Sequence, residues 1–216
     1  GDEELYLFMT TRNGTVKRLE VSALKNLRNN GIRALTMDEG DELVSVRETD
    51  GNQKILIATH DGMAVVFDEN DVRPMGRTAV GVRGIRLREG DYVIGAARAD
   101  ADKTVLSITE NGYGKRTDVS EFRVQSRGGK GIMAMRLTDK TGLMAAQLLV
   151  SEDEDIMLIT DDGTIIRMPV SDISTIGRVS QGVRVMRVEE GSHIVCVTAT
   201  ERDEDEEEAS EADGET

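Results

Sequence analysis

Four apolar runs in the chain each lead into an Asn-Gly or Asp-Gly dipeptide. The runs are LYLFMTT, ILIATHD, VLSITEN and IMLITDD, and the dipeptides are Asn13-Gly14, Asp61-Gly62, Asn111-Gly112 and Asp162-Gly163. These dipeptides are typical of two-residue β-hairpin turns, because both central residues of a type I′ turn have positive φ. The pattern therefore predicts four β-hairpins.

The hairpins belong to an internal repeat, since their turns lie 48, 50 and 51 residues apart. After each hairpin come a loop with a basic residue, a closing glycine, a third apolar segment and a fourth. A helix would need apolar residues three and four apart, which only the segment around Val21 offers, for barely two turns. We therefore predict an all-β, propeller-like fold with four repeats of about four antiparallel strands. The predicted repeats span approximately residues 5–48, 54–98, 104–150 and 155–199.

Composition separates a folded body, residues 1–200, from an acidic tail, residues 201–216. The tail carries ten carboxylates and one arginine, and such a segment is expected to be disordered. The chain has no apolar run near the ~18 residues of a transmembrane helix, and its acidic start does not resemble a signal peptide. The lone Cys196 excludes an internal disulfide and is predicted to be buried in a strand. A cytoplasmic protein is expected.

The basic residues are concentrated in equivalent parts of the four repeats. The windows 15–37, 63–88, 113–137 and 164–188 hold 20 lysines and arginines and only 7 carboxylates. Since each repeat places its window alike, we expect a continuous positive band on a radial array of blades. Such a band is suited to a polyanion.

Residues 125–131 are the densest part of this band, with two cations and three glycines in seven positions. Glycines allow close approach of a main chain to a ligand, and backbone N–H groups and cations can share phosphate oxygens. The candidate DNA-binding residues are Gln125, Ser126, Arg127, Gly128, Gly129, Lys130, Gly131, Lys115, Arg116, Lys17, Arg18, Arg28, Arg77, Arg83, Arg167, Arg178 and Arg184.

The sequence favours duplex DNA over other polyanions. Only six aromatic residues are present, so stacking platforms for single strands are scarce. No recognition helix is readable, which predicts backbone contacts and low sequence specificity. His60 and His193 lack partners at the spacing of a metal site or a triad. We therefore predict no catalytic residue, no metal and no cofactor in this chain.

Three motifs resemble the C-terminal domain of the A subunit of DNA gyrase. They are Asn-Gly-Tyr-Gly-Lys-Arg-Thr at 111–117 with Gln-Ser-Arg-Gly-Gly-Lys-Gly at 125–131, the segment 73–87, and the segment 173–182. The resemblance covers residue 5 to about 200. It implies a β-pinwheel, in which blades exchange strands and duplex DNA wraps around a basic rim. It also implies partners, namely duplex DNA and the other parts of an A2B2 gyrase holoenzyme, which uses ATP and Mg for negative supercoiling. The catalytic tyrosine and the ATP site of that holoenzyme lie outside this chain.

Two departures from the family pattern affect these expectations. The family usually has six blades with its glycine-rich box in the first, whereas this chain has four repeats and carries the box in the third. We therefore expect a fragment equivalent to the last four blades, in an open disc with an unpaired edge near 5–11. Two alternatives remain open at this point. They are the topoisomerase IV C-terminal domain, which guides DNA-segment capture, and a propeller-like module that binds proteins.

Overall fold

The chain folds into short β-strands, as seen in a computed structural model that describes residues 4–24 and 37–202. One helical turn (Val21–Leu24) and three 3₁₀ turns (Glu69–Asp71, Val119–Glu121, Val170–Asp172) are the helical elements among these residues. The strands are β1 (Tyr6–Thr11), β2 (Thr15–Glu20), β3 (Leu43–Thr49), β4 (Lys54–Thr59), β5 (Met63–Asp68), β6 (Val82–Arg83), β7 (Val93–Arg98), β8 (Thr104–Thr109), β9 (Tyr113–Asp118), β10 (Ile132–Met133), β11 (Met144–Val150), β12 (Glu154–Thr160), β13 (Ile165–Pro169), β14 (Val183–Arg184) and β15 (Ile194–Glu201).

The strands form four antiparallel sheets, here called blades 1 to 4 in chain order. Blade 1 has the strand order β3-β1-β2-β6, blade 2 β7-β4-β5-β10, blade 3 β11-β8-β9-β14, and blade 4 β15-β12-β13. The predicted hairpins form the centre of each blade, but their turns are not the predicted two-residue type I′ turns. Only the glycines Gly14, Gly62, Gly112 and Gly163 have positive φ, between 85° and 90°, and the Asn or Asp before each of them does not. The predicted all-β, propeller-like fold is therefore confirmed.

Each of the first three blades receives its outermost strand from the following repeat. The short strands β6, β10 and β14 come from repeats 2, 3 and 4, yet they pair with β2, β5 and β9 of the preceding repeats. In blade 4, the described residues contain no strand on the outer side of β13. The predicted unpaired edge near 5–11 is wrong, because β1 lies between β2 and β3 and is paired on both sides.

The hydrophobic core lies mainly between adjacent blades. Phe8 and Val16 of blade 1 pack with Ile57 and Phe67 of blade 2. Similar clusters join blade 2 to blade 3 and blade 3 to blade 4. Because a single blade cannot bury its two faces alone, each repeat depends on its neighbours for stability.

The innermost strands β3, β7, β11 and β15 line a central cavity. Neighbours along this series pack on one another. Cys196 in β15 is exposed rather than buried as predicted. Within the described residues, no blade follows blade 4 to cover its innermost strand. Cys196 therefore stays exposed although it lies in an apolar segment.

Candidate nucleic-acid interface

The outer edge of the disc, here called the rim, is formed by β6, β10 and β14 and the loops that precede them. Each of these strands is followed by an exposed arginine at the same position, five residues after the loop-closing glycine. These arginines are Arg86, Arg136 and Arg187. They lie within the basic windows but are not among the predicted contact residues, and their constant spacing from Gly81, Gly131 and Gly182 is the sequence signal that marks them.

Backbone hydrogen bonds fix two of these arginines against the loop of the next repeat. The N–H of Arg86 donates to the carbonyl of Gly129 at 2.8 Å, and the N–H of Arg136 donates to the carbonyl of Ser180 at 3.2 Å. Arg86 and Arg136 are thus held beside these loops.

The glycine-rich loop 125–131 lies against β5 of blade 2 and against the segment that follows β6. The N–H of Gln125 donates to the carbonyl of Val66 at 2.8 Å, and the N–H of Gly128 donates to the carbonyl of Gly84 at the same distance. A Cβ on Gly131, which has φ 77°, would lie 2.4 Å from the carbonyl oxygen of Ala64. The glycine at 131 is therefore required for close packing against protein backbone, whereas a Cβ on Gly129 would have about 3.9 Å of clearance.

Arg127 ties the same loop to repeat 2. Its Nε donates to the carbonyl of Asp71 and its Nη1 to the carbonyl of Arg83, both at 3.0 Å. Arg178 occupies the equivalent position one repeat later: its N–H donates to Glu121 at 3.0 Å and its Nη1 to the carbonyl of Met133. At most two of the five donors of each guanidinium are used in this way, which leaves others for an anion.

Four predicted contacts lie beneath the surface. Lys17 and Arg18 on β2, and Lys115 and Arg116 on β9, are each at most 6% exposed. Arg18 Nε donates to the carbonyl of Val72 at 2.8 Å, and Arg116 Nε donates to the carbonyl of Ile173 at 2.7 Å. The loop of the next repeat covers these side chains, a long-range contact that the local sequence does not reveal.

The remaining candidates are at the surface or lie outside the described residues. Lys130, Ser126, Arg83 and Arg184 are exposed, Arg77 is half-buried, and Arg28 lies outside the described residues. Arg184 donates to the Tyr113 hydroxyl at 3.1 Å. Arg167 differs from the rest, because its Nε binds Asp155 at 2.9 Å and its Nη2 the carbonyl of Glu201 at 2.8 Å. It joins strands of blade 4.

Acidic side chains cap the hairpin turns of the disc. Asp41 and Asp91 accept backbone N–H groups of Asn13 and Asp61 at 3.0 Å. Asp162 accepts from the hydroxyl of Thr160 and from neighbouring groups, which lowers the pKa of its carboxyl to about 2. The Asp162 carboxylate therefore stays charged at neutral pH, and these aspartates serve the turns through hydrogen bonds.

The aromatic side chains are occupied within the fold. Phe8, Phe67, Tyr113 and Phe122 are buried. Tyr92 stacks on His60 at 4.5 Å between ring centroids and carries the Arg12 guanidinium 4.1 Å above its ring. All six aromatics lie in the described part of the chain, and none is exposed. An exposed aromatic patch, one sign of a protein-binding module, is therefore not found there, whereas exposed apolar side chains such as Val124 and Val179 are present.

These features define a propeller-like domain whose blades exchange strands and whose rim repeats one exposed arginine per donated strand. The family model described as DNA gyrase C-terminal domain, beta-propeller, matches residues 5–50, 53–100, 103–146 and 154–199. The chain belongs to this family of DNA gyrase C-terminal domains.

Relatives and solved structures agree with this assignment. The A subunit of DNA gyrase from Halalkalibacterium halodurans is 56% identical over 204 residues, which is 94% of this chain and 24% of the relative. The corresponding protein of Streptococcus pneumoniae serotype 4 is 54% identical over 209 residues, 97% of this chain and 25% of the relative. The chain thus spans about a quarter of the length of these relatives.

Two solved structures resemble the fold to a similar degree. A structure of the DNA gyrase A C-terminal domain matches with a TM-score of 0.80 and 27% identity, over 92% of this chain and 66% of that one. The C-terminal domain of DNA topoisomerase IV matches with a TM-score of 0.83 and 27% identity, over 99% and 67%. The fold alone does not separate the two classes, whereas the sequence relatives named above are gyrase subunits.

Proposed function

We propose that the rim of this domain binds duplex DNA through phosphate contacts and bends it around the disc. The observation that carries this proposal is the repetition of an exposed arginine just after each outermost strand, at Arg86, Arg136 and Arg187. Equivalent cations on successive blades form a curved track, and a duplex that follows it gains contacts in proportion to the arc it covers. Contacts to phosphates carry no base information, so sequence preference would come from the cost of bending.

The loops supply a second set of phosphate ligands. Lys130 is exposed, Ser126 is exposed in the same loop, and Arg127 has guanidinium donors beyond the two that hold the loop. The open space at Gly129 allows a phosphate to approach the main chain. We assign to residues 125–131 the densest contact on the track, and to Arg83 and Arg184 flanking contacts.

Within a whole enzyme, the domain would act on DNA topology without doing chemistry. We infer that it belongs to the A subunit of a bacterial gyrase, which assembles with the B subunit and presents wrapped DNA to the strand-passage site in the cytoplasm. Supercoiling powered by ATP with Mg would depend on other parts of that enzyme. No helix in the described residues is long and apolar enough to cross a membrane.

Binding measured against duplex length tests the wrapping proposal. A duplex of roughly 20 base pairs and one of about 150, near the persistence length of DNA, would be titrated with the full chain. If DNA wraps, the longer duplex should bind much more tightly than expected from its larger number of overlapping binding sites alone. Wrapping also predicts that relaxation of a closed circle in the presence of the protein traps supercoils. Equal affinity per base pair and no trapped supercoils would contradict wrapping. The triple variant Arg86→Gln, Arg136→Gln, Arg187→Gln should lose this dependence on duplex length.

A further inference from the structure

Lys115 is a fully buried lysine whose ammonium is enclosed by the loop of the following repeat. Its Nζ donates to the carbonyl of Gly177 at 3.0 Å, to that of Ser180 at 2.9 Å, and to that of Arg178. An ammonium has three N–H donors, and three carbonyls of one short loop receive them. The side chain is 0% exposed, so in this arrangement it cannot reach a phosphate.

The loop that Lys115 holds, residues 176–182, is the counterpart in repeat 4 of the glycine-rich loop. Its carbonyl at Ser180 accepts both from Lys115 and from the N–H of Arg136, the exposed rim arginine. Arg178 follows Gly177 directly, and its N–H is held by Glu121. A short series of hydrogen bonds therefore joins the buried ammonium to two arginines of the rim.

A comparison of blades 1 to 3 shows where a lysine lies relative to the loop that covers each blade. The position three residues after the turn glycine is Lys17 in blade 1, Val65 in blade 2 and Lys115 in blade 3. The loop that covers Val65 is the glycine-rich loop. Of the three loops that cover these positions, only this one has a lysine just before its closing glycine, namely Lys130. The other two loops have Val80 and Gln181 there. Each loop thus has one lysine, either beneath it or on top of it. A Cβ on Gly81 would lie 2.9 Å from Lys17 Cγ, which places that lysine beneath its loop as well.

We propose that Lys115 is a positioning residue for DNA binding, which fixes the backbone of residues 177–180 and thereby aims Arg178 and Arg136, without touching DNA. The proposal rests on the proposed function of the rim. It distinguishes lysines that hold a loop, represented by Lys115, from a lysine that meets phosphate, represented by Lys130.

The protonation state of Lys115 provides a test that needs no substitution. Burial lowers the pKa of Lys115 to about 8, while the Glu121 carboxylate raises it and the Arg178 guanidinium lowers it. Only the protonated amine can supply three donors, so DNA affinity is expected to fall as pH rises from 7 to 9. The contribution of Lys115 to folding stability changes with pH in the opposite direction to the DNA affinity. Because the folded-state pKa is below that of the unfolded chain, folding releases a proton between about pH 8 and 10.5, and stability from this group rises with pH there. Loss of affinity by unfolding would therefore not mimic the effect.

Lys115→Met is the direct test, and Lys130→Met is the matched control with the same loss of charge. Lys115→Met removes three hydrogen bonds from one loop and is expected to weaken binding to the 150-base-pair duplex by about tenfold. In an Arg178→Gln background the loss should shrink, because both changes act through one loop, whereas the loss from Lys130→Met should remain additive. The affinity of Lys115→Met should also lose the decline between pH 7 and 9. Additive losses and a retained decline would overturn the proposal.

Amide hydrogen exchange of residues 176–182 without DNA separates this inference from the proposed function. Faster exchange there in Lys115→Met, but not in Lys130→Met, is expected. Unchanged exchange would overturn the positioning role, whatever the DNA measurements show. Failure of the wild-type chain to bind either duplex would instead overturn the proposed function. If Lys115→Met does not fold, Lys115→Gln takes its place, since a side-chain amide keeps two of the three N–H donors, and unchanged exchange of residues 176–182 in that variant would overturn the inference.

Discussion

Arg18 of blade 1 and Glu69 of repeat 2 form an ion pair of 3.1 Å whose side chains are 5% and 0% exposed. Arg18 also donates to the carbonyl of Val72, and Glu69 accepts the N–H of Gln53 at 2.8 Å. The pair therefore joins two repeats at a point where water is excluded. Breaking a buried pair from one side leaves an uncompensated charge, which is costly even where the intact pair contributes little.

Glu69→Gln should accordingly lower the free energy of unfolding by about 3 kcal/mol, measured by urea denaturation. The control is Arg98→Gln, which breaks a surface pair with Asp100 at 3.7 Å and should change stability by less than about 1 kcal/mol. Similar losses in the two variants would show that burial does not govern the strength of these contacts.

The turn glycines give a second stability prediction, based on a difference between blades 3 and 4. A Cβ on Gly112 would lie 2.1 Å from the carbonyl oxygen of Met186, in the segment that carries donated strand β14. At Gly163, no heavy atom of the described chain lies within 4 Å of the Cβ position. Gly163→Ala should cost about 1 kcal/mol from positive φ alone. Gly112→Ala should cost about 1 to 3 kcal/mol more, because β14 must move. Equal melting temperatures would indicate that β14 contributes little to blade 3.

The rim arginines predict a change in salt dependence. Replacing Arg86, Arg136 and Arg187 by glutamine should reduce the slope of log affinity against log salt by about 0.9 for each lost phosphate contact. Arg47→Gln is the control, since Arg47 is an exposed cation on innermost strand β3, away from the rim. A triple variant with the wild-type slope would place the DNA path elsewhere on the domain.

The acidic segment after β15 is expected to compete with DNA for the rim. Residues 203–216 hold nine carboxylates and no basic residue, and their covalent attachment gives them a high effective concentration near the basic band. Ending the chain at Arg202 should raise duplex affinity, most at low ionic strength, because screening acts over about 8 Å at physiological salt. Equal affinities at low salt would leave the segment without this role.

Much of the fold could be predicted from periodicity, and less of the interface. The hairpins follow from Asn-Gly and Asp-Gly turns, and their spacing predicts the blades, because both signals are local. Whether Lys115 or Lys130 is exposed to solvent depends on a loop from another repeat. The local sequence around each lysine does not contain that information. The same limit applied to Arg18 and Arg116, which resemble rim cations in sequence and lie under loops. The local sequence does not identify Arg86, Arg136 and Arg187 as contact residues either. A single arginine after a strand carries little information until the repeats are aligned with one another.

Strand exchange between blades also constrains how such a chain can change its length. A cut at the border of one repeat takes β6, β10 or β14 away from the blade that needs it, so a repeat excised by itself is an incomplete sheet. Loss or gain of one whole period leaves every junction chemically similar, because each donated strand has the same short form and enters beside an equivalent hairpin. Duplication or deletion of one repeat in the gene would thus add or remove whole blades. The arc available to a bound polymer would lengthen or shorten in equal steps.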